Sequence, residues 1–441
     1  MLNRSRCVLM LVLAVVASAS SWFYVNRLLR SEQIAEAAAH NRPRGNLSDL
    51  YPRWLGAREL LLHHRNPYSP EITLEIQQGY YGRPLDPSRP DDPKDRQGFA
   101  YPVYVVFPLA PTVGLPFDEV QIGFRWLLIA LAVADVFLWL QVVRWRVPCT
   151  TEAILAVMVV GWLPMVQGIK LQQLTLLVAA LLAASAALVV GADACAPFPR
   201  ALMLFGSGML LALATIKPQL AWPLVLFLLL WVLSQWSRRR ALFCGFVFIM
   251  TLFFAGAEFL LPGWLSMFVT AIGQYHQYTQ NRSVLVFFFG SILGRIFEVI
   301  AVLMCALYAW RIRRETADSP SFGHAIALVA ALTVLVVPMF APYNQVLLIP
   351  AILILLRSAT RPMLPALRIA YIVAFGMVAW PWMAAFLLTL SSPWLTPNLR
   401  QSLYLTPFYS NFFVPIFLFG LTWLEAWMNL PSPLRDRAAA E

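Results

Sequence analysis

Few side chains in this sequence are equipped for chemistry, and they fall in a handful of polar stretches. The first is SDLYPRWLGARELLLHHRNPYSP, residues 48–70. Read alone, Asp49 or Ser48 is a helix cap, with Pro52 in the first turn, where a missing N–H is tolerated. Leu50, Trp54 and Leu61, with Tyr51, Leu55 and Leu62, recur at helical spacing. They predict an amphipathic helix lying on a membrane surface. It runs to about His64 and stops before Asn66, because Pro67 disfavours helix in the residue ahead of it. His63 and His64 are expected on its surface. Cations recur in TIKPQ (Lys217), in GQYHQYTQNRS (His276 and Arg282) and at Lys170. A lysine bordered by apolar runs is costly unless paired, solvated or snorkelling to an interface. Asp91, Asp92 and Asp95 are acids in a Pro-flanked loop, which suits a solvated loop better than a divalent metal site. Asp135, Glu258 and Glu298 lie within or near apolar runs, and such acids keep an ion or proton path open.

The elements that position these residues are almost all apolar. Of the 441 residues 60% are hydrophobic and 12% charged, and the mean hydropathy is +0.67. Soluble domains are less apolar and about twice as charged. The expected fold class is all-α, a polytopic transmembrane protein of one integral domain, 1–441. Its spans are expected near 7–25, 122–143, 152–168, 171–191, 201–216, 219–236, 241–261, 296–310, 323–341, 344–357, 366–389 and 410–429. MLNRSR and the apolar residues after it read as a retained first span.

With both termini inside, sixteen basic residues face the cytoplasm: Arg4, Arg6, Arg144, Arg146, Arg200, Arg238, Arg239, Arg240, Arg311, Arg313, Arg314, Arg357, Arg361, Arg368, Arg435 and Arg437. The short outer loops then hold only Lys170, Lys217, Arg282 and Arg400, as the positive-inside rule favours. The net charge of +11 is thereby a membrane signature, and nucleic acid is not an expected partner. Residues 26–100 form a large first outer loop and 262–283 a second. Residues 101–117, apolar but carrying four prolines, suit a re-entrant or outer-surface segment. Five cysteines show no CxxC spacing, so neither zinc nor a redox pair is indicated.

SDLYPRWLGARELLLHHRNPYSP resembles the first outer loop of glycosyltransferase family 87, in which a Ser-Asp-hydrophobic-Tyr run precedes a helix and a Pro-Tyr. The likeness continues through YPVYVVFPLAP (101–111), QGIKLQQLTLLVAALLAASAAL (167–188) and GSGMLLALATIKPQLAWPLVLFLL (206–229), with its Lys-Pro signature. It extends to NRSV (281–284) and APYNQVLLIPAILILL (341–356). The family's Gln-x-Asn-like segment stands here as Lys170-Leu171-Gln172-Gln173, and its Asn-Gln-Ser as Asn281-Arg282-Ser283.

The resemblance implies a GT-C-like fold and transfer of a sugar, mannose by likeness, from a polyprenyl-phosphate donor at the outer face. The acceptor would be the hydroxyl of a glycolipid or other glycan, and the lipid bilayer is the third partner. Asp49 becomes the general base, because an acceptor hydroxyl needs a carboxylate within hydrogen-bond reach to take its proton. Lys217, His276 and Arg282 would hold the departing phosphate, and Tyr51, Tyr68, Tyr101, Gln172 and Asn281 would contact substrate. No cofactor or metal is expected. The competing expectation is a lipid or solute transporter or flippase without transferase activity. It draws on the intramembrane acids, although two matching halves are not apparent in the sequence.

Overall fold

The computed structural model describes residues 4–42, 44–279, 282–338, 341–409 and 411–430, and among them all regular structure is helical. Among the described residues, eight helices can cross a membrane by length and composition: Ser5–Ala39, Phe117–Val142, Leu174–Ala192, Pro197–Ala214, Trp236–Leu260, Val284–Ile312, Pro365–Trp394 and Pro397–Met428. A ninth forms if Cys149–Val160 and Leu163–Lys170, which meet at 57°, make one broken span. The chain is therefore a polytopic helical membrane protein. Three of the expected runs coincide with the shorter apolar helices Pro218–Ser234, Pro320–Val336 and Pro342–Ser358. Each of these opens on proline, whose fixed φ suits a first turn and whose missing N–H costs nothing there.

Two glycine features shape the packing. Gly208 and Gly245 let the helices Pro197–Ala214 and Trp236–Leu260 touch backbone to backbone. A Cβ at either would lie 2.0 Å from a carbonyl oxygen, of Leu242 or Phe205 respectively. Gly290, at φ 77° and ψ 174°, breaks the helical run Val284–Ile312 with a conformation that residues bearing a Cβ rarely adopt.

The bundle has two chemically different ends. The helix Phe117–Val142 starts with Phe117 packed on Tyr51 and Trp54, ring centroids 4.8 and 5.0 Å apart. Just past its other end, Arg357 Nη1 donates to the Val143 carbonyl (2.7 Å) and Arg144 pairs with Asp318 (3.1 Å). At 1.5 Å per residue, 26 residues put those ends about 39 Å apart. The second end gathers arginines. Arg239, fully buried, donates to the carbonyls of Trp231 (2.7 Å), Arg313 (2.9 Å) and Glu315 (2.7 Å) and lies 3.7 Å above the Trp231 ring. Arg200 pairs with Asp193 at 2.8 Å, and Asp193 also accepts from the Ala317 amide.

The segment after the first span differs from expectation in its cap and in its burial. The helix Tyr51–His63 does form, with Pro52 in its first turn, but its N-cap is Leu50 and no side chain caps it. It also does not lie on a surface: Pro52, Trp54, Leu55, Gly56, Ala57, Glu59 and Leu60 are all buried. Packing against the helix Pro70–Tyr81 and against Val103–Thr112 covers more of the helix than one amphipathic stripe would. Finally, the basic residues have internal partners. Arg58 donates to the Val113 carbonyl (2.9 Å), and Arg65 bridges Glu59 (2.8 Å) and Glu75 (2.5 Å).

Val103–Thr112 folds as three successive short helical turns, interrupted by proline, with Val103–Val106 and Leu109 buried and the last turn open. Tyr104 anchors it, stacked on Phe253 (4.9 Å) and donating to the Thr215 carbonyl (3.0 Å). Within 262–283, Trp264–Thr279 is a 16-residue helix rather than open loop.

Candidate active site

At the end of the bundle where the helix Phe117–Val142 starts, a cavity of about 540 Å³ opens, within the range typical of small-molecule sites. Asp49, Arg53, Asp95, Tyr101, Gln173 and Lys217 line it, together with Tyr275, His276, Tyr278 and Tyr343. Chain segments far apart in sequence meet here: the head of Tyr51–His63, the loop after Tyr81, the turn before Leu174, and the break between Ala214 and Pro218.

Asp49 is released from capping because the chain turns sharply just before it, with Leu47 at φ 51°. Its backbone N–H donates to the Leu171 carbonyl (2.9 Å), which ties the segment to the Gln172–Gln173 turn. One carboxylate oxygen accepts from the Tyr80 hydroxyl (3.0 Å), and the other accepts from Gln173 Nε2. Burial, with Asp49's charge beside it, pushes the Tyr80 hydroxyl well above its ordinary value, so Tyr80 stays a proton donor in this bond.

Gln173 continues inward. Its Oε1 accepts from Lys217 Nζ at 3.1 Å, and Lys217 also donates to Thr175 Oγ1 at 2.6 Å. Lys217 is only 4% exposed and lies 5.2 Å from the Tyr343 ring, with the Tyr101 hydroxyl as a further hydrogen-bond neighbour. Its ammonium is thus held by neutral acceptors and aromatic faces, with Asp49 on the far side of the Gln173 amide. Arg53, one helical turn after Asp49, donates to the Asp49 carbonyl (2.6 Å) and lies 4.3 Å from the Tyr101 ring. Its Nε is buried without a partner among the described residues. Asp95 takes the backbone N–H (2.9 Å) and side-chain amide (3.0 Å) of Gln97. Burial raises its carboxyl above the ordinary value; the Gln97 N–H opposes this and the charge on Asp49 adds to it.

The lining therefore carries Arg53, Lys94 and Lys217 against Asp49 and Asp95, one positive charge in surplus before His276 is considered. Three residues with a side chain hold left-handed φ close to it: Leu47 (51°), Gln97 (51°) and Gln172 (50°). Such conformations cost on the order of 1 kcal/mol each and persist only where the surroundings impose them. At Gln172 the constraint is visible, since its amide bonds back to the carbonyls of Ile169 (2.9 Å) and Lys170 (2.8 Å), and the turn delivers Gln173 to Asp49.

Of the residues proposed from sequence, Asp49, Lys217, His276 and Tyr101 meet in this cavity. Tyr68 stands behind it, donating to the Tyr101 carbonyl at 2.6 Å. Tyr51 is turned away onto Trp54 and Phe117. Gln172 is buried against Gln121 (3.2 Å), and its neighbour Gln173 takes the place at the cavity. Arg282 is exposed and not among the lining residues, and Asn281 falls outside the described residues. Of the loop acids, Asp92 is held by Arg83 (2.6 Å), whereas Asp95 reaches the cavity. No cluster of three or more His, Cys, Asp or Glu side chains suited to a metal occurs among the described residues.

Arg53, Tyr80 and Thr175 were not singled out from sequence. Arg53 carries a signal in retrospect, being four residues after Asp49 on a helix and so on the same face. Tyr80 and Thr175 carry none, because their roles depend on long-range folding. Neither a protein-family model, nor a curated protein, nor a solved structure matches this chain.

Proposed function

We propose that this protein is an inverting glycosyltransferase that moves a hexose, mannose by family likeness, from a polyprenyl-phosphate donor to an acceptor hydroxyl. The observation that carries the reading is the linked set Tyr80–Asp49–Gln173–Lys217. It places an oriented carboxylate and a buried ammonium in one cavity at one end of a membrane bundle. The likeness to family 87 supports it through its motifs alone, since Asp49, Tyr101, Gln173, Lys217 and Tyr343 all come from the segments that carry the likeness. The fold would then be GT-C-like, with about twelve spans once the three 17-residue apolar helices and the broken pair are included. The cytoplasm would meet the arginine-rich end, and the cavity would face outward.

In this scheme the acceptor hydroxyl approaches Asp49, whose oxygens are held in place by Tyr80 and Gln173. As the hydroxyl oxygen bonds to the sugar carbon, its proton passes to Asp49 and the bond to phosphate breaks with its electron pair left on the phosphate. That anion needs positive charge and N–H or O–H donors rather than an acid. Arg53 Nε is a buried donor without a partner among the described residues, and Lys217 supplies charge. Tyr101 can accept from Lys217 while offering its own O–H to the phosphate. His276 at the rim is a further donor. The rings of Tyr275, Tyr278 and Tyr343 give the sugar apolar faces to pack on.

The test is sugar transfer by the purified protein and by its Asp49→Asn variant, with envelope glycolipids compared by mass spectrometry in cells producing each. Loss of a general base lowers turnover by about 10²–10⁴-fold. Near-normal transfer by Asp49→Asn sinks the assignment. A transporter remains the second reading, on one observation: Asp135 lies mid-helix in Phe117–Val142, 1% exposed, with one carboxyl oxygen lacking a partner. Substrate flux without transfer, abolished by Asp135→Asn, would favour it.

A further inference from the structure

A second cavity, of about 390 Å³, lies at the opposite end of the bundle, and none of its lining residues touches the Asp49 cavity. Arg144, Arg357, Arg361, His324, Asp318 and Ser319 contribute to it. Its charges are unevenly matched. Arg144 is paired with Asp318 at 3.1 Å. Arg361 approaches Glu425 only to 3.9 Å, and that carboxylate is already held by Ser358 (2.5 Å) and Tyr371 (3.1 Å). Arg357 has no carboxylate partner among the described residues. It donates to the Val143 carbonyl, and the charges that act on it are those of Arg361 and Arg144. Three guanidiniums are thus collected around a void with one of them uncompensated, an arrangement that invites an oxyanion.

His324 narrows the chemistry. It is 8% exposed, and its Nδ1 lies 2.7 Å from the Pro320 carbonyl. A carbonyl can only accept, so Nδ1 carries the proton and Nε2 of the neutral ring offers a lone pair. That Nε2 is buried and has no partner among the described residues. A buried acceptor left empty is unfavourable, so a ligand that completes the site brings a hydrogen-bond donor as well as negative charge. Ser319 caps the helix Pro320–Val336 at the cavity wall, accepting from the Phe322 N–H at 3.2 Å, so the positive end of that helix dipole adds to the same field.

We propose that this cavity binds a phosphate group that carries its own hydrogen-bond donor, with Arg357 and Arg361 taking the oxyanion and His324 Nε2 accepting the donor. Hydrogen phosphate meets the description through its P–OH. So does a phospholipid headgroup bearing a hydroxyl, and the end of a membrane bundle is within reach of either. The site stands independently of the transferase reading.

The test uses the full chain in two arms. In detergent it is titrated with inorganic phosphate and, as a donor-free control, sulfate. In nanodiscs of phosphatidylcholine doped with phosphatidylglycerol or with phosphatidylmethanol, which has the same charge but no hydroxyl, retained lipid is measured by native mass spectrometry. Preference of at least about fivefold for phosphate over sulfate identifies a soluble ligand. The same preference for phosphatidylglycerol over phosphatidylmethanol identifies a headgroup. In whichever arm binds, Arg357→Gln and Arg361→Gln should each weaken retention about tenfold, as loss of a charged hydrogen bond does. His324→Phe should abolish the discrimination while leaving anion binding. Absence of binding in both arms overturns the proposal. So does unchanged binding in folded Arg361→Gln, whose half-exposed side chain makes it the safer variant should Arg357→Gln lose its fold.

Discussion

The residue that organises the cavity is Gln173. It reaches Asp49 with its amide N–H and Lys217 with its carbonyl, so replacing it affects a carboxylate and a cation together without removing either. Under the proposed transferase reading, Gln173→Leu is expected to lower turnover by at least about 10–100-fold, the worth of one of the two charged hydrogen bonds it makes, with the protein still folded. Transfer assays alongside a melting curve check this, and unchanged turnover would show that Gln173 does not position the proposed base. Asp95 behaves differently. Because burial raises its folded-state value, its contribution to stability is fully present below the ordinary value of about 3.9. That contribution is lost as pH rises through the folded value. Asp95→Asn has no proton to lose, so its melting temperature should gain on the native protein as pH increases from about 4 towards 8. A gap that stays constant across that range contradicts the assignment.

At the scale of elements, the crossing of Pro197–Ala214 over Trp236–Leu260 depends on hydrogen at Gly208, since the atom a side chain would strike is the Leu242 carbonyl oxygen. A backbone atom cannot step aside as a side chain can. Gly208→Val should therefore cost at least about 1–3 kcal/mol and lower the melting temperature in detergent. A neutral result would mean the two helices are free to move apart. The helices themselves were readable from sequence, because apolar runs bounded by arginines and prolines report directly on length and on the membrane interface. What was not readable is which face of Tyr51–His63 would be covered. Its apolar side chains at helical spacing fit a lipid surface as well as a protein one, and only the approach of Val103–Thr112 and Pro70–Tyr81 decides. The same limit applies to the site. Asp49, Lys217, His276 and Tyr101 were found as chemistry-bearing types in polar stretches, but Gln173 and Gln172 are adjacent and identical in kind. The left-handed turn at Gln172 alone determines which of them faces the cavity.

For the whole molecule, the arginines gathered at the end of the bundle away from the Asp49 cavity predict a sidedness that can be measured. In a cysteine-free background, Ser88→Cys, in the loop after Tyr81, should react with an impermeant maleimide in intact cells. Arg238→Cys should react only after the membrane is opened. The reverse pattern would place the cavity in the cytoplasm and remove the outer-face reading. The same asymmetry makes the protein a charged object in an electric field. Across an energised membrane, negative inside, each arginine left on the wrong side costs about 2.3 kcal/mol per 100 mV. Several arginines at one end therefore bind the orientation of the chain to the voltage present while it inserts. Repeating the Ser88→Cys labelling on protein made in de-energised cells would show whether that voltage, as well as the sequence, sets which way the cavity faces.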